Sequence, residues 1–460
     1  MTDKTGDEFD DEHDHGDPPQ AGPEQNFDRA IVLLPLTAAD PMRNPQNRLD
    51  EASGLAEALD LEVAETSIVT MRRLSPGAYF GSGRVEQIKA RVEALGAGIV
   101  IVDASLSPVQ QRNLERALNA KVVDRTGLIL EIFGRRARTR EGRLQVELAR
   151  QAYEKSRLVR TWTHLERQRG GLGKTGGPGE TQLELDRRLI GGRIDRLKAE
   201  LEDVRRTRAL QRSARKRAGL PTVVLVGYTN AGKSSLFNRL TEAGVLAKDM
   251  PFATLDPTAR LVRAADHRPF ILSDTVGFIT DLPHELVDAF RATLEEVATA
   301  DILVHVRDVA HPETEAQKED VEGVLAQLQA DAASTPVLVE AWNKIDALPE
   351  DRRAARLARA APEGGGGEGA RIVALSAHTG EGVAALVEAI DRIAYGPTQT
   401  VSVRLDPGDG RTRAWIAARG RIVEESYDDE GFVALTAELA ADAHAQLADM
   451  LGRTAARAAE

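Results

Sequence analysis

The sequence predicts a multidomain α/β protein, and three observations carry that prediction. Strand-like apolar runs alternate with helical patterns over 27–134 and again over 220–396, the mark of largely parallel sheets. Between them, 135–219 combines a heptad seam with dense arginine, which predicts a basic antiparallel helical hairpin. After them, 397–460 is short and strand-rich before an alanine-rich stretch, a small α+β appendage. The 460 residues suit about three domains. Apolar residues make up 42% but aromatics only 4%, so Leu, Val, Ile and Ala must fill the cores.

Residues 1–26 hold nine acids and one lysine, an acidic tail with almost nothing to bury, expected to be disordered. Its His13 and His15 admit a metal, but a solvated tail is the simpler reading. There are no cysteines, which excludes disulfides and thiolate metal sites and fits a reducing cytoplasm. No secretory signal and no run of about 18 apolar residues is present, so a cytoplasmic protein is expected.

In the first unit, "RAIVLLPL", "LEVAETSIVTM", "AGIVIVDA" and "KVVDRT" are strand candidates, with helical patterns over 48–59, 83–95 and 108–119. Gly81 and Gly83 precede one helix as a turn, or as an anion site at its N-terminus. The hairpin's second helix, 180–218, has Leu183, Ile190, Ile194, Leu197, Leu201 and Val204 at heptad spacing; the first, 143–169, has Leu144, Leu148, Leu158, Trp162 and Leu165. In the third unit "TVVLVG", "ARLVRA", "PFILSD", "DILVHVRD", "PVLVEAWN" and "RIVALS" read as strands, with the glycine-rich insert 361–370 as a flexible loop. Residues 398–435 read as strands and 436–458 as a helix.

Two glycine loops compete for a phosphate. A phosphate loop needs Gly-x4-Gly-Lys-[Ser/Thr] between a strand and a helix. "GGLGKTGGPGE", 170–180, fails: Gln168 stands where the first glycine belongs, no apolar strand precedes, and Gly176, Gly177, Pro178 and Gly179 are not expected to open a helix. Residues 227–235 pass, with Gly227, Tyr228, Thr229, Asn230, Ala231, Gly232, Lys233, Ser234 and Ser235 following a buried-strand run. Lys233 would reach the terminal phosphates and Ser234 would bind Mg²⁺. Downstream, Asp274, Thr275, Val276 and Gly277 place a carboxylate near that metal and a glycine N–H near the γ-phosphate. Asn343, Lys344, Ile345 and Asp346 end another strand, where a carboxylate can take both N1–H and the amine of guanine; adenine offers no such pair. Ser376 and Ala377 offer backbone to the guanine carbonyl. In this order the four motifs predict a Ras-like P-loop GTPase domain over 220–396, with GTP as substrate and Lys233, Asn230 and Gly277 as the catalytic set.

Phe252, Ala253, Thr254, Leu255 and Asp256 form the candidate switch segment, with Thr254 preferred over Thr258 as the second metal hydroxyl beside Ser234. Phe278 replaces the glutamine that orients water in Ras-like enzymes, so it either packs or leaves the site to be completed by a partner. Asn230 admits a K⁺ ion in place of an arginine finger, or braces the loop.

Residues 135–217 carry 24 Lys and Arg against 11 Asp and Glu, five of the arginines within 135–143. Arginine suits phosphate, glycines at the tip allow close approach, and Tyr153, Trp162 and His164 are the only aromatics for stacking; structured RNA is favoured over single strands. A solvated spacer is the competing reading.

"RGGLGKTGGPGETQLELDRRLI", "VGYTNAGKSSLFNRLT", "FATLDPTAR" and "DTVGFITDLPHELVDAFRATLEE", with "YFGSGRVEQI" and "LSPVQQRNLE" upstream, resemble the HflX family of GTPases over roughly 27–440. The resemblance implies a protein that binds the large ribosomal subunit as a monomer and hydrolyses GTP faster on it. It also implies a role in splitting stalled ribosomes, with the hairpin reaching rRNA near the peptidyl transferase centre. ATP hydrolysis by the N-terminal region is a further family attribute, though no complete phosphate loop lies there in this chain. Lys174 departs from the apolar residue or arginine expected at the tip.

Overall fold

A computed structural model describes residues 26–37, 44–168, 178–217, 219–242, 250–256, 258–263, 267–281, 286, 296–329, 335–360, 371–396, 398–428 and 431–458. The acidic tail, the hairpin tip including Lys174, and the insert 361–370 lie outside them.

The first unit is a four-stranded parallel sheet in the order β2-β1-β3-β4, built from β1 (Asn26–Thr37), β2 (Glu62–Met71), β3 (Ala97–Val102) and β4 (Lys121–Asp124). Helices α1 (Pro45–Glu57), α2 (Ser82–Leu95), α3 (Pro108–Leu118) and α4 (Arg125–Arg136) accompany it. Strand β1 is buried on both faces, as crossover helices require. Ala30, Val32 and Leu34 join one apolar cluster, and Ile31 and Leu33 join another. The strand reading of "KVVDRT" ran too far. Asp124 turns to accept from Gly127 N, capping α4, so Arg125 and Thr126 are helical. Gly81 caps α2 and Gly83 lies within its first turn.

The hairpin consists of α5 (Arg140–Gln168) and α6 (Pro178–Arg217). Ion pairs Arg140–Glu200 and Glu147–Arg193 run in opposite senses along the two helices, which fixes them as antiparallel. Ile194, Leu197 and Leu201 are buried, as the heptad spacing requires. On α5 the buried apolar residues among those described are Val146 and Ala149, while Leu144 and Leu148 are half-buried. That face also packs against the first unit, so it serves two neighbours. The side chains of Leu158, Trp162, Leu165 and Leu183 lie outside the description. Pro178 corrects the expectation that it bars a helix, since it opens α6. Proline at the first helical position loses only an N–H that has no partner there.

The third unit is a six-stranded sheet, β10-β9-β8-β5-β7-β6, of β5 (Thr222–Val226), β6 (Thr258–Val262), β7 (Phe270–Asp274), β8 (Ile302–Asp308), β9 (Val337–Asn343) and β10 (Arg371–Ala374). All pairs are parallel except β6–β7. With it run α7 (Lys233–Thr241), α8 (Thr314–Gln329), α9 (Glu350–Ala360) and α10 (Val383–Tyr395). The chain leaves central β5 toward β7 and returns on the other side to β8. The loop after β5 therefore sits at the switch point where such sheets bind ligands.

The last unit is an antiparallel sheet, β11-β13-β12, of β11 (Thr398–Leu405), β12 (Gly420–Tyr427) and β13 (Val433–Ala440), with α11 (Gly410–Arg419) and α12 (Ala441–Ala458). Helix α11 falls inside a stretch read as strands; Asp409 caps it through Thr412 N. Residues 436–440, read as helix, complete β13, where Val433, Leu435, Ala437 and Leu439 are buried in alternation.

One apolar cluster ties the first and third units together. Val32, Leu55, Ile132 and Phe133 share it with Phe252, Leu255, Phe278 and Ile279. Among the described residues no helix is long and apolar enough to cross a membrane.

Candidate nucleotide site

The phosphate loop leaves β5 at Gly227 and enters α7 at Lys233. A Cβ on Gly227, whose φ is +147°, would stand 2.2 Å from Val306 O, so no other residue fits there. The loop is tied to the switch strand, since Thr229 N donates to Phe278 O (2.7 Å) and Phe278 N to Gly227 O (3.1 Å). Gly277 immediately precedes Phe278, which makes both contacts. A Cβ there would meet Thr229 Cα at 2.8 Å and Lys233 Nζ at 2.9 Å. The Phe278 side chain is buried in the cluster shared with the first unit, so it packs.

The Lys233 ammonium is buried and donates to the carbonyls of Gly227 (3.0 Å) and Tyr228 (2.7 Å). Burial lowers its pKa to about 8, against the opposing pull of Asp274. Ser234 Oγ donates to Asp274 Oδ2 (2.8 Å) and shares a hydrogen bond with Thr254 Oγ1 (2.7 Å). Burial raises the pKa of Asp274, with Lys233 opposing. Its Oδ1 is buried without a partner. Thr258, the other switch candidate, starts β6 opposite Asp274. Asn230, Lys233, Ser234, Ser235, Phe252, Ala253, Thr254, Thr275 and Gly277 line one small cavity of about 50 Å³.

The base motifs converge on the same loop. Asn343 Nδ2 donates to Ala231 O and its Oδ1 accepts from Ala377 N, each at 2.8 Å. Ser376 is fully buried, its Oγ accepting from Thr379 N. Lys344, with φ +64°, reaches Asp308 at 2.9 Å, and Ile345 is buried beneath it. Asp346 is part-exposed, 3.9 Å from His378 Nδ1. Leu255 and Val276 are buried; Asp256 points away from the loop, to the start of α5.

Sequence reasoning missed what surrounds Tyr228. Its hydroxyl is bonded to Glu51 and to Thr280 Oγ1 (2.7 Å), and Thr280 N donates to it (2.9 Å). Arg125 binds Glu51 (2.6 Å), Asp103 (2.6 Å) and Thr280 O (2.8 Å). Burial opposes the charge on Asp103, yet Arg125 and Arg48 hold its carboxyl below the usual range. The first unit thus grips both the phosphate loop and the segment after Gly277. Glu51 and Tyr228 are 177 residues apart, and no local pattern marks the pair.

Family models match successive stretches of the chain: "GTP-binding GTPase N-terminal" over 46–134, "GTP-binding GTPase Middle Region" over 136–215, "50S ribosome-binding GTPase" over 222–344 and "HflX C-terminal domain" over 366–460. GTPase HflX of Magnetococcus marinus is 51% identical over 417 residues, covering 90% of this chain and 93% of that protein. GTPase HflX of Escherichia coli is 45% identical over 388 residues, covering 84% and 88%. A crystal structure of a GTP-binding protein from Sulfolobus solfataricus in complex with GDP is 24% identical, covering 79% of this chain and 98% of that one, with a TM-score of 0.42. Four models along the chain, two relatives above 40% identity over most of its length, and a phosphate loop braced by a guanine-type motif lead to one conclusion: the chain belongs to the HflX family of GTPases and hydrolyses GTP.

Proposed function

We propose that the chain is a GTP-controlled factor whose basic hairpin docks on rRNA of the large ribosomal subunit, and that this docking splits or rescues stalled ribosomes. The observation that carries the GTP half is the group formed by Ser234, Thr254 and Asp274. Two hydroxyls 2.7 Å apart stand beside a carboxylate whose second oxygen is buried without a partner. Hard oxygen donors with a single carboxylate fit Mg²⁺, which takes its remaining ligands from phosphate and water. Ser234 and Thr254 would hold the ion and Asp274 would face it, and the chemistry it would supply there is neutralisation of phosphate charge. This geometry supports Thr254 as the switch threonine over Thr258.

The residues then divide the work. Lys233 exchanges two loop carbonyls for phosphate oxygens. Gly277 brings its N–H to the terminal phosphate with no side chain in the way. Asp346 takes guanine, and Asn343 holds the phosphate loop against the Ser376–Ala377 turn. Phe278 cannot orient water, so turnover is slow until a partner completes the site. Asn230 is exposed at the cavity with φ +60°, which supports a K⁺ contact there in place of an arginine finger, with bracing of the loop as its other role.

The ribosomal half rests on the charge of 135–217 and on the model described as a "50S ribosome-binding GTPase". The test is GTP turnover with and without purified large subunits, in K⁺ and in Na⁺. Strong stimulation is expected; an unchanged rate would refute the ribosomal reading, and equal rates in the two salts would remove K⁺. Sedimentation of whole ribosomes with a non-hydrolysable GTP analogue should show released subunits. Binding only to incomplete precursors would make the protein an assembly factor.

A further inference from the structure

Switch residues Thr254 and Asp256 stand two apart and face opposite ways. Thr254 Oγ1 meets Ser234 of the phosphate loop. The Asp256 carboxylate meets the start of the hairpin: Oδ2 accepts from Arg138 N (2.8 Å) and Thr139 N (2.9 Å), and Oδ1 from the Thr139 hydroxyl. That same hydroxyl accepts from Gly142 N (3.0 Å), capping α5. The link is braced on both sides. Leu255 between them is buried, and Phe252 packs edge-to-face on Phe133 of α4, ring centroids 4.7 Å apart at 85°. Nothing in the nucleotide chemistry requires Asp256 to be there.

We infer that the segment 252–256 is a lever that couples the nucleotide to the hairpin: with GTP bound, Thr254 is held inward and Asp256 secures the N-terminus of α5; with GDP, Thr254 is released and that hold is lost. The inference deepens the proposed function, since it says how GTP would time hairpin docking. Coupling is reciprocal, so a ligand that fixes the hairpin also favours the inward Thr254.

The first test needs no ribosome. Amide exchange at Arg138 and Thr139 should be slower with Mg²⁺ and a non-hydrolysable GTP analogue than with GDP, by about tenfold, a typical coupling factor. Equal rates in the two states overturn the lever. The second test uses Gly142→Ala. An added Cβ there would stand 2.2 Å from Asp256 Oδ1, while alanine suits a helix better than glycine. The variant should abolish the exchange difference and cut stimulation by large subunits at least about fivefold, with basal turnover unchanged and, because the coupling is reciprocal, analogue affinity lowered by no more than the coupling factor of about tenfold. Retention of the exchange difference in the variant overturns the inference. If the wild-type amides respond to nucleotide but large subunits leave turnover unaltered, the lever stands and the ribosomal partner falls.

Discussion

Asn343 and Ala231 are joined across 112 residues of chain: the Asn343 amide donates to the Ala231 carbonyl at 2.8 Å, inside the phosphate loop. The same side chain accepts from Ala377 N. Asn343→Ala would leave two buried backbone groups unpaired, each costing about 1–3 kcal/mol. Affinity for GTP and GDP should fall together, by roughly tenfold or more, because the loop and the base turn loosen at once. Calorimetric titration with both nucleotides checks this; selective loss of GTP alone would contradict it.

Gly277→Ala tests the close approach of the switch to the phosphate loop. Its nearest obstacle is backbone, Thr229 Cα at 2.8 Å, and Thr229 N is already bonded to Phe278 O, so it cannot retreat freely. Turnover should fall at least about tenfold, with GDP affinity changed far less, as for a group acting on the terminal phosphate. Single-turnover hydrolysis alongside GDP titration separates the two effects.

Lys233 gives nucleotide binding a pH signature. Burial holds its pKa at about 8, so near that pH the free protein carries a half-protonated ammonium. Phosphate favours the charged form. Binding should therefore take up about half a proton at pH 8, and affinity should weaken as pH rises through 8. Titrations in buffers of different ionisation enthalpy at pH 8 should give different apparent heats, converging by about pH 6.5, where Lys233 is already charged. Buffer-independent heats at pH 8 would refute the assignment.

His305 is buried in β8 with Nδ1 unpartnered. Burial lowers its pKa to about 4, against the pull of Glu340, with Arg307, Lys318 and Lys233 adding to the depression. The unfolded chain binds this proton below the ordinary pKa of about 6.5 and the folded chain does not. Stability is therefore lost as pH falls from about 6.5 toward 4, by up to about 3 kcal/mol. Urea unfolding at several pH values should show that slope reduced in His305→Leu; an identical slope would rule His305 out as its source.

Arg125 is buried between Asp103, Glu51 and Thr280 O. Arg125→Ala leaves Glu51 without its cation and Asp103 with Arg48 alone, and should cost about 3–5 kcal/mol. It should also lower GTP turnover, since Tyr228 and Thr280 share that network. A variant as stable as the parent in urea would refute the first expectation.

The sequence alone determined what depends on short-range spacing. The phosphate loop, its strand and helix, the order of the four nucleotide motifs and the α6 seam at Ile194, Leu197 and Leu201 are all local patterns, set by backbone periodicity and by where glycine is tolerated. Of 170–180 only 178–180 are described, and there the expectation for Pro178 fails because proline suits the first turn of a helix. Tertiary structure decided what depends on distant partners. The extra strand residues 436–440 follow from pairing with β11 and β12, which outweighs alanine's helical preference. Phe278 packs because the first unit supplies a cluster to receive it. The grip of Glu51 on the phosphate loop, of Arg125 on the segment after Gly277, and of Asp256 on α5 joins residues more than 100 positions apart. Such contacts leave no period or motif in the chain; they exist only where folding has brought two complementary surfaces together.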